Sequence, residues 1–252
     1  MLFRSYPVIE TSLTNNLGTR VTKDFLESMH EGFVWIQGQY LDANGNAVYV
    51  THASDLDDDL QWMNGAFPFR DVINQGLAVL PVLAVNQFDL TTGDGWSAAV
   101  RWIDTLHDDC DSESDPFCAQ TWVYVIPQDT PGCCGGIIGI TNAIGGNTII
   151  VQDINHPSIL AHEMGHHYGL WHGECGLPAD DPYPDPSIPL KIEDYGLNVE
   201  TLRIFKPGVT DEFMTYCTDQ VWDNWISIHS YDFIYDSVMQ AREAATTAEA
   251  AT

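Results

Sequence analysis

Residues 161–175, AHEMGHHYGLWHGEC, contain four of the nine histidines in the chain. In a helix, residues i and i+4 lie on the same face, so His162 and His166 can direct their imidazole rings at one point. A zinc ion requires such convergence, because its bonds to imidazole nitrogen are about 2.0–2.1 Å long. The competing interpretation is a helix whose histidines lie at the surface, and the residues that follow favour the metal site.

Two further residues of this segment fit a catalytic metal site. Glu163 lies about a hundred degrees round the helix from His162, so it is poorly placed to be a ligand of the same metal. It can instead reach a water beside the metal and act as a general base. Gly169 can adopt the left-handed conformation that ends a helix and turns the chain back, which brings His172 to the metal. Three neutral histidines leave the fourth tetrahedral position to water, as in catalytic zinc sites.

The whole pattern, HEMGHHYGLWH at 162–172, resembles the extended zinc signature of the metzincin metallopeptidases. This clan also has a tight turn with a methionine beneath the zinc, and DEFMTYC at 211–217 is similar to it. The resemblance implies that Met214 is the floor residue. It further implies that Tyr216, as in the astacin-like members, stabilises the transition state. A tyrosine that merely packs beside a buried methionine is the alternative for Tyr216.

A more specific resemblance involves the cysteines. The chain is similar to secreted bacterial and archaeal metzincin-like peptidases that have CG after the third ligand and MSYC at the turn, where this chain has MTYC. In that pattern Cys175 and Cys217 lie close together, so the resemblance implies a disulfide between them. The other four cysteines can pair with their sequence neighbours or crosswise. They are Cys110, Cys118, Cys133 and Cys134.

The resemblance implies a zinc-dependent endopeptidase that hydrolyses peptide bonds of extracellular proteins, with Zn²⁺ as its cofactor. Its ligands are His162, His166 and His172, and its general base is Glu163. It also implies that an extended substrate pairs with an edge strand above the active-site helix, here GGIIGIT at 135–141. The alternative from a different class is a non-catalytic zinc-containing binding or adhesion module on the same fold. Loss of the base or of a ligand would favour that module, and none is lost.

Composition restricts the partners of the protein. The chain of 252 residues has 9 basic and 36 acidic side chains and a formal net charge of −27. Phosphate neutralisation requires lysine and arginine, so this composition argues against nucleic-acid binding. No apolar run approaches the roughly eighteen residues that a membrane span needs. We therefore expect a protein or peptide substrate, no nucleic-acid partner and no membrane insertion.

The cysteines bear on the compartment. The six cysteines form an even set without a C-x-x-C pair, which favours disulfides and hence an oxidising environment. The N-terminus does not have the pattern of a secretory signal. The chain is therefore either cytosolic or the mature part of a longer secreted precursor, with a multidomain precursor as one alternative. Because the cysteines favour an oxidising environment, we expect the protein to be secreted or extracellular.

Local patterns predict several elements outside the histidine segment. Residues 33–50 contain two β-favouring runs on either side of DANGN at 42–46, which predicts a hairpin, with a calcium loop as the alternative. The acidic run DLDDDL at 55–60 predicts a solvated loop. Apolar residues spaced by three and four predict an amphipathic helix over 96–108. Strands are predicted at 77–85, 120–127, 135–141 and 147–152.

These elements predict a mixed sheet with a helix packed on it, and the resemblance implies an α+β fold of the metzincin type. It has a twisted mixed β-sheet, a backing helix, an active-site helix and a loop-rich lower subdomain that ends in a C-terminal helix starting at Ser230. We divide the chain into an N-terminal β-rich segment at 1–75, ancillary or a pro-segment, a peptidase domain at 76–245 and a disordered tail at 246–252.

Overall fold

The computed structural model describes residues 30–49, 53–68, 71–78, 87–109, 121–127, 130, 133–153, 156–173, 184–199, 201–216 and 224–249. The elements of these residues are, in chain order, β1 (His30–Gln37), β2 (Gln39–Leu41), β3 (Ala47–Tyr49), α1 (Ala53–Ala66), β4 (Asp71–Ala78), α2 (Gly93–Asp108), β5 (Thr121–Ile126), β6 (Gly139–Thr141), β7 (Thr148–Gln152), α3 (Ser158–His167), β8 (His172–Gly173), β9 (Pro184–Asp185), β10 (Gly196–Leu197), β11 (Ile204–Phe205), β12 (Asp211–Glu212), β13 (Asn224–Trp225) and α4 (Ile228–Glu249).

A five-stranded mixed sheet forms the centre of the described fold. Its strand order is β4-β1-β5-β7-β6. The first four strands in this order are parallel to one another, whereas the edge strand β6 runs antiparallel to β7. The predicted α+β class is therefore confirmed, and the strand predicted within 135–141 lies at the edge of the sheet.

The central strand β5 explains why helices cover both faces of this sheet. Its sequence, TWVYVI, is buried at every position, as expected of a parallel strand between two layers. Because side chains alternate along a strand, Trp122 and Tyr124 pack in one core with α2. Val123 and Val125 pack in the other core, with α1 and α3.

The backing helix α2 begins three residues before its predicted start. Thr92 caps it, since its side-chain oxygen accepts a hydrogen bond from the backbone N–H of Gly95 at 3.1 Å. Trp96, fully buried against the sheet, donates its indole N–H to the carbonyl oxygens of Leu90 at 2.8 Å and Cys134 at 3.2 Å. The helix predicted from the apolar stripe is thus confirmed.

The acidic run at 55–60 is helical, so the loop prediction was wrong. It forms the first half of α1. The second half of this helix anchors it, because Trp62, Met63 and Ala66 are buried beside α3 at helical spacing. The exposed aspartates lie on the solvent side of the same helix, where charge runs are tolerated.

The hairpin predicted around DANGN is confirmed. Strands β2 and β3 pair antiparallel, with Tyr40 opposite Val48. Asp42 holds the turn, because its Oδ1 accepts hydrogen bonds from the backbone N–H groups of Asn44 and Asn46, each at 2.8 Å. The carboxylate therefore serves the turn itself.

The domain division predicted at residue 75 falls within the central sheet. The position falls inside β4, and β1 lies between β4 and β5 in the sheet. Phe33 pairs with Thr121 and Gln37 with Val125. The described part of the N-terminal segment is thus built into the central sheet, because parallel pairing connects strands that are far apart in sequence. Residues 1–29 lie outside the described residues, and a pro-segment there stays a prediction.

Between α3 and α4 the described residues form little regular structure. The strands there are two-residue pairs, β8 with β9, β10 with β11 and β12 with β13. Helix α4 begins at Ile228, two residues before the predicted start, and Ser227 occupies its cap position by accepting a hydrogen bond from the Ser230 N–H at 3.2 Å. The helix continues to Glu249, into the segment predicted as a tail. Among the described residues, no helix combines the length and apolar character needed to cross a membrane.

Candidate metal centre

Helix α3 carries the first two histidines of the motif through the interior. Every residue from Ser158 to His166 is buried, as expected of a helix that is apolar on most of its surface. The rings of His162 and His166 are perpendicular, with centroids 4.9 Å apart. The spacing of four residues therefore places both imidazoles on one face of the helix, as predicted.

Hydrogen bonds orient these two imidazoles. His162 Nδ1 lies 2.8 Å from the carbonyl oxygen of Phe213, and His166 Nδ1 lies 2.8 Å from that of Leu170. A carbonyl oxygen only accepts, so each Nδ1 carries the proton and donates it. Each neutral ring then keeps its lone pair on Nε2, the nitrogen that can bind a metal.

The third histidine reaches this point because the helix ends. Gly169 has φ of +101°, in the left-handed region that favours glycine. Its N–H donates to the His166 carbonyl oxygen at 2.9 Å, which closes the helix. The N–H of Gly173, on β8, donates to the Met214 carbonyl oxygen at 3.0 Å. His172 Nε2 consequently lies 2.9 Å from His166 Nε2.

The three side chains fit a metal ion. Their ligand atoms all lie within 4.8 Å of one another. His162 Nε2 is buried and has no hydrogen-bond partner among the described residues, a situation that buried polar atoms rarely tolerate and that a metal bond would relieve. The structure thus brings His162, His166 and His172 together as a group that could bind a metal ion.

Glu163 lies beside this group and outside it. Its Oε2 accepts a hydrogen bond from Thr141 Oγ1 at 2.8 Å. A Cβ placed at Gly139 would lie 2.6 Å from Glu163 Oε1, so the backbone of β6 packs directly on the carboxyl group. Burial raises the pKa of Glu163 to about 8, and the Thr141 hydrogen bond opposes that shift. The carboxyl group is therefore held between the helix and the edge strand.

The two predicted residues of the turn also lie at the centre. Met214 is fully buried, and its Sδ occupies the space that a Cβ at Gly165 would need. Tyr216 is 56% exposed. Its hydroxyl lies 2.7 Å from His172 Nε2. The methionine thus lies beneath the helix, whereas the tyrosine lies at the histidines and faces solvent.

Glu212 holds this turn in place, and its role was missed from the sequence. Its buried Oε2 accepts the backbone N–H of Met214 at 2.6 Å. Its Oε1 accepts hydrogen bonds from Ser230 Oγ at 2.7 Å and Ser227 Oγ at 3.3 Å. Burial raises the pKa of Glu212 to about 7, and these hydrogen bonds oppose that shift. The carboxyl group therefore links the turn to the start of α4.

The roles of Thr141 and Glu212 were missed because each acts on a residue that is distant in the sequence. Thr141 is 22 residues from Glu163 in the chain, and Glu212 is 18 residues from Ser230. Contacts over such separations leave no helical or strand periodicity in the sequence from which they could be predicted. The one hint in the sequence is the acidic residue Glu212 directly before the FMTY stretch. If such a side chain becomes buried, it requires several hydrogen-bond donors.

Two of the six cysteines lie within the described residues, so the structure bears on only part of the cysteine predictions. The structure places the Sγ atoms of the adjacent Cys133 and Cys134 in contact, and a disulfide between them, one of the pairings left open by the sequence, stays a prediction. Cys110, Cys118, Cys175 and Cys217 lie outside the described residues. The disulfide between Cys175 and Cys217 stays a prediction.

Comparisons with known proteins place this chain in no family. No family model matches it, and no curated protein matches it either. Inference about its function therefore depends on the residues of the site and on the resemblance of their motif.

Substitution of Gly169 tests how the third histidine is positioned. We expect Gly169→Ala to lower the free energy of unfolding by about 1–2 kcal/mol, because an L residue is strained at this φ. The new Cβ would also lie 3.4 Å from the Phe233 ring. Since the turn delivers His172, zinc affinity should fall by roughly tenfold, as for other residues that orient ligands. Urea unfolding and zinc titration measure the two effects.

The matched control is Gly45→Ala. Gly45 has φ of +80° in the β2–β3 turn and no atoms within 4 Å of a new Cβ. It should show a similar loss of stability and unchanged zinc affinity. Equal zinc affinity in the Gly169 and Gly45 variants would contradict the proposed role of this turn.

Proposed function

We propose that the protein is a zinc-dependent endopeptidase of the metzincin type. The observation that carries this proposal is the convergence of His162, His166 and His172 beside Glu163, which lies against the edge strand β6. Support also comes from the resemblance of the motif and of the methionine turn. Three imidazoles suit zinc among the common metals. The sheet, the backing helix α2 and the helix α3 are compatible with this type of fold.

The three histidines, Glu163 and Thr141 have different roles in the proposed reaction. A zinc ion held by three histidines supplies a Lewis acid that polarises a carbonyl group and makes water easier to deprotonate. Glu163 accepts the proton of the attacking water and delivers it to the nitrogen of the leaving amine. Thr141 fixes the carboxyl group through its hydrogen bond. Positioning of this kind is worth several powers of ten in rate.

Tyr216 stabilises the charge that develops on the carbonyl oxygen. Its hydroxyl lies at the ligand group, 2.7 Å from His172 Nε2, and its side chain is exposed. A phenol can donate a hydrogen bond to an oxyanion, and each such donor contributes substantially to rate. Packing alone does not explain the exposure of this ring.

The substrate binds as an extended strand. Strand β6 lies at the edge of the sheet, paired with β7 on one side. Edge strands pair with extended peptides through backbone hydrogen bonds. Because β6 packs on Glu163, a peptide added along it would run past the base. We propose extracellular proteins as substrates, in keeping with the cysteine content and acidic character of the chain.

Metal removal tests the proposal. The purified chain should cleave casein and mixed peptides. Dialysis against 1,10-phenanthroline should abolish cleavage, and added Zn²⁺ should restore it, since the metal supplies the Lewis acid. A serine-protease inhibitor serves as the control and should have no effect. Cleavage that persists in the metal-free protein would contradict the proposal, and absence of cleavage by the zinc-loaded protein would favour a binding module.

A further inference from the structure

His107, on the other side of the sheet from the three-histidine group, is buried and has no hydrogen-bond partner for its ring among the residues that the structure describes. His107, in the last turn of α2, is 6% exposed. Neither Nδ1 nor Nε2 has a hydrogen-bond partner among the described residues, although both atoms are buried. Its ring contacts Trp122, with centroids 4.7 Å apart. A neutral imidazole has one donor and one acceptor nitrogen, and buried polar atoms rarely stay without a partner, so the geometry points to a ligand at this ring.

Two aspartates on the same helix lie beside this ring. Asp104 and Asp108 are three residues before and one residue after His107. Residues three and four apart lie on one face of a helix. One ligand atom from each of the three side chains lies within 4.8 Å of the others. The group therefore combines an imidazole with two carboxylates at metal-ligand spacing.

The Asp104 carboxylate is oriented by the strands below it. Its Oδ1 accepts hydrogen bonds from Asn142 Nδ2 at 2.7 Å and Thr148 Oγ1 at 2.9 Å. Hydrogen bonds of this kind typically orient metal-ligating carboxylates. Neither bond uses Oδ2. Asp108 is exposed, which gives an ion and its water ligands a route from solvent.

We propose that Asp104, His107 and Asp108 form a second metal site, which binds a first-row divalent transition ion such as Zn²⁺. One imidazole and two carboxylates suit such an ion, with water completing the coordination. Two ligands of a tetrahedral zinc are about 3.4 Å apart, so the side chains need to close by roughly an ångström on binding. Its residues are separate from the three-histidine group, and the proposal does not depend on the proposed peptidase activity.

Occupation of this site braces the connection between β6 and β7. Asn142 and Thr148 stand at the two ends of that connection and are both held by Asp104. Gly145, between them, donates its N–H to the carbonyl oxygen of His166 at 2.8 Å. An ion at α2 thus fixes a carboxylate that holds the loop next to the edge strand. The second metal site therefore has a structural role, because it stabilises the β6–β7 connection beside the candidate metal centre.

Zinc titration of the full chain, stripped of metal with a chelator, tests this site. Isothermal titration calorimetry should show two Zn²⁺ per chain for the parent protein. Asp108→Asn should weaken the second site by roughly tenfold or more, since even residues that only orient ligands have effects of that size. The matched control is Asp109→Asn, because Asp109 is exposed, adjacent and outside the cluster. It should leave both sites intact.

A second variant separates a ligand from a merely structural histidine. His107→Phe keeps a ring against Trp122 and removes both orphaned nitrogens. It should lose the second zinc without lowering the urea midpoint of the metal-free chain, because an apolar ring needs no partner there. Zinc binding to the parent protein that His107→Phe and Asp108→Asn leave unchanged in stoichiometry and affinity would overturn the proposal. Equal weakening by the Asp108 and Asp109 variants would do so too, as would a second site that binds Ca²⁺ and not Zn²⁺.

Discussion

Replacement of Glu163 by glutamine should lower kcat/KM for peptide cleavage by about a hundred- to ten-thousandfold, the usual range for loss of a general acid–base group. The amide has nearly the same shape as the carboxyl group, and its oxygen can still accept the hydrogen bond from Thr141. It cannot take a proton from the attacking water. Zinc content and the urea midpoint should therefore stay at the parent values while catalysis is lost.

The measurement needs activity and metal content on the same samples. Casein or mixed-peptide cleavage is compared for the parent protein, Glu163→Gln and the control Glu193→Gln, in which the same change is made at an exposed residue. The control should match the parent in both assays. Equal cleavage by all three proteins would remove Glu163 from the mechanism. Loss of zinc together with activity would instead make it a ligand or a support for one.

The parts of the site that the sequence predicts are those set by local geometry. The spacing between His162 and His166 specifies one helix face, and Gly169 marks the end of that helix. Both features depend on a few consecutive residues, so no tertiary information is needed to recognise them. Buried apolar runs such as TWVYVI likewise predict strands, because two covered faces leave no polar position.

The parts that were missed depend on pairing across the chain. The place of β1 inside the sheet is decided by its pairing with β4 and β5, which the hydrophobic pattern of its own residues does not encode. The aspartates of 55–60 suggest a loop on composition alone. They are helical because apolar residues further along α1 pack against α3. Tertiary packing thus overrides a local preference in α1, whereas in β1 it decides which strands the segment pairs with.

Glu212→Ala should be the most destabilising single change near the candidate centre. It removes the acceptor of the Met214 N–H and the Ser230 hydroxyl, and both residues are buried. Each buried donor left unsatisfied costs about 1–3 kcal/mol, so for these two donors we expect a loss of about 2–6 kcal/mol in the free energy of unfolding. Glu212→Gln keeps one carbonyl acceptor and should cost less.

The same change should also reach the metal centre. Glu212 directly precedes Phe213, whose carbonyl oxygen orients the His162 ring at 2.8 Å. Release of the turn frees that ring to rotate, and zinc affinity should fall by roughly ten- to a hundredfold, as when other orienting partners are removed. Urea unfolding of the metal-free chain and zinc titration measure the two effects, with Glu193→Ala as the exposed control. Lost stability with unchanged zinc affinity would show that Glu212 supports α4 alone, because a carboxyl group that holds the turn must affect both measurements.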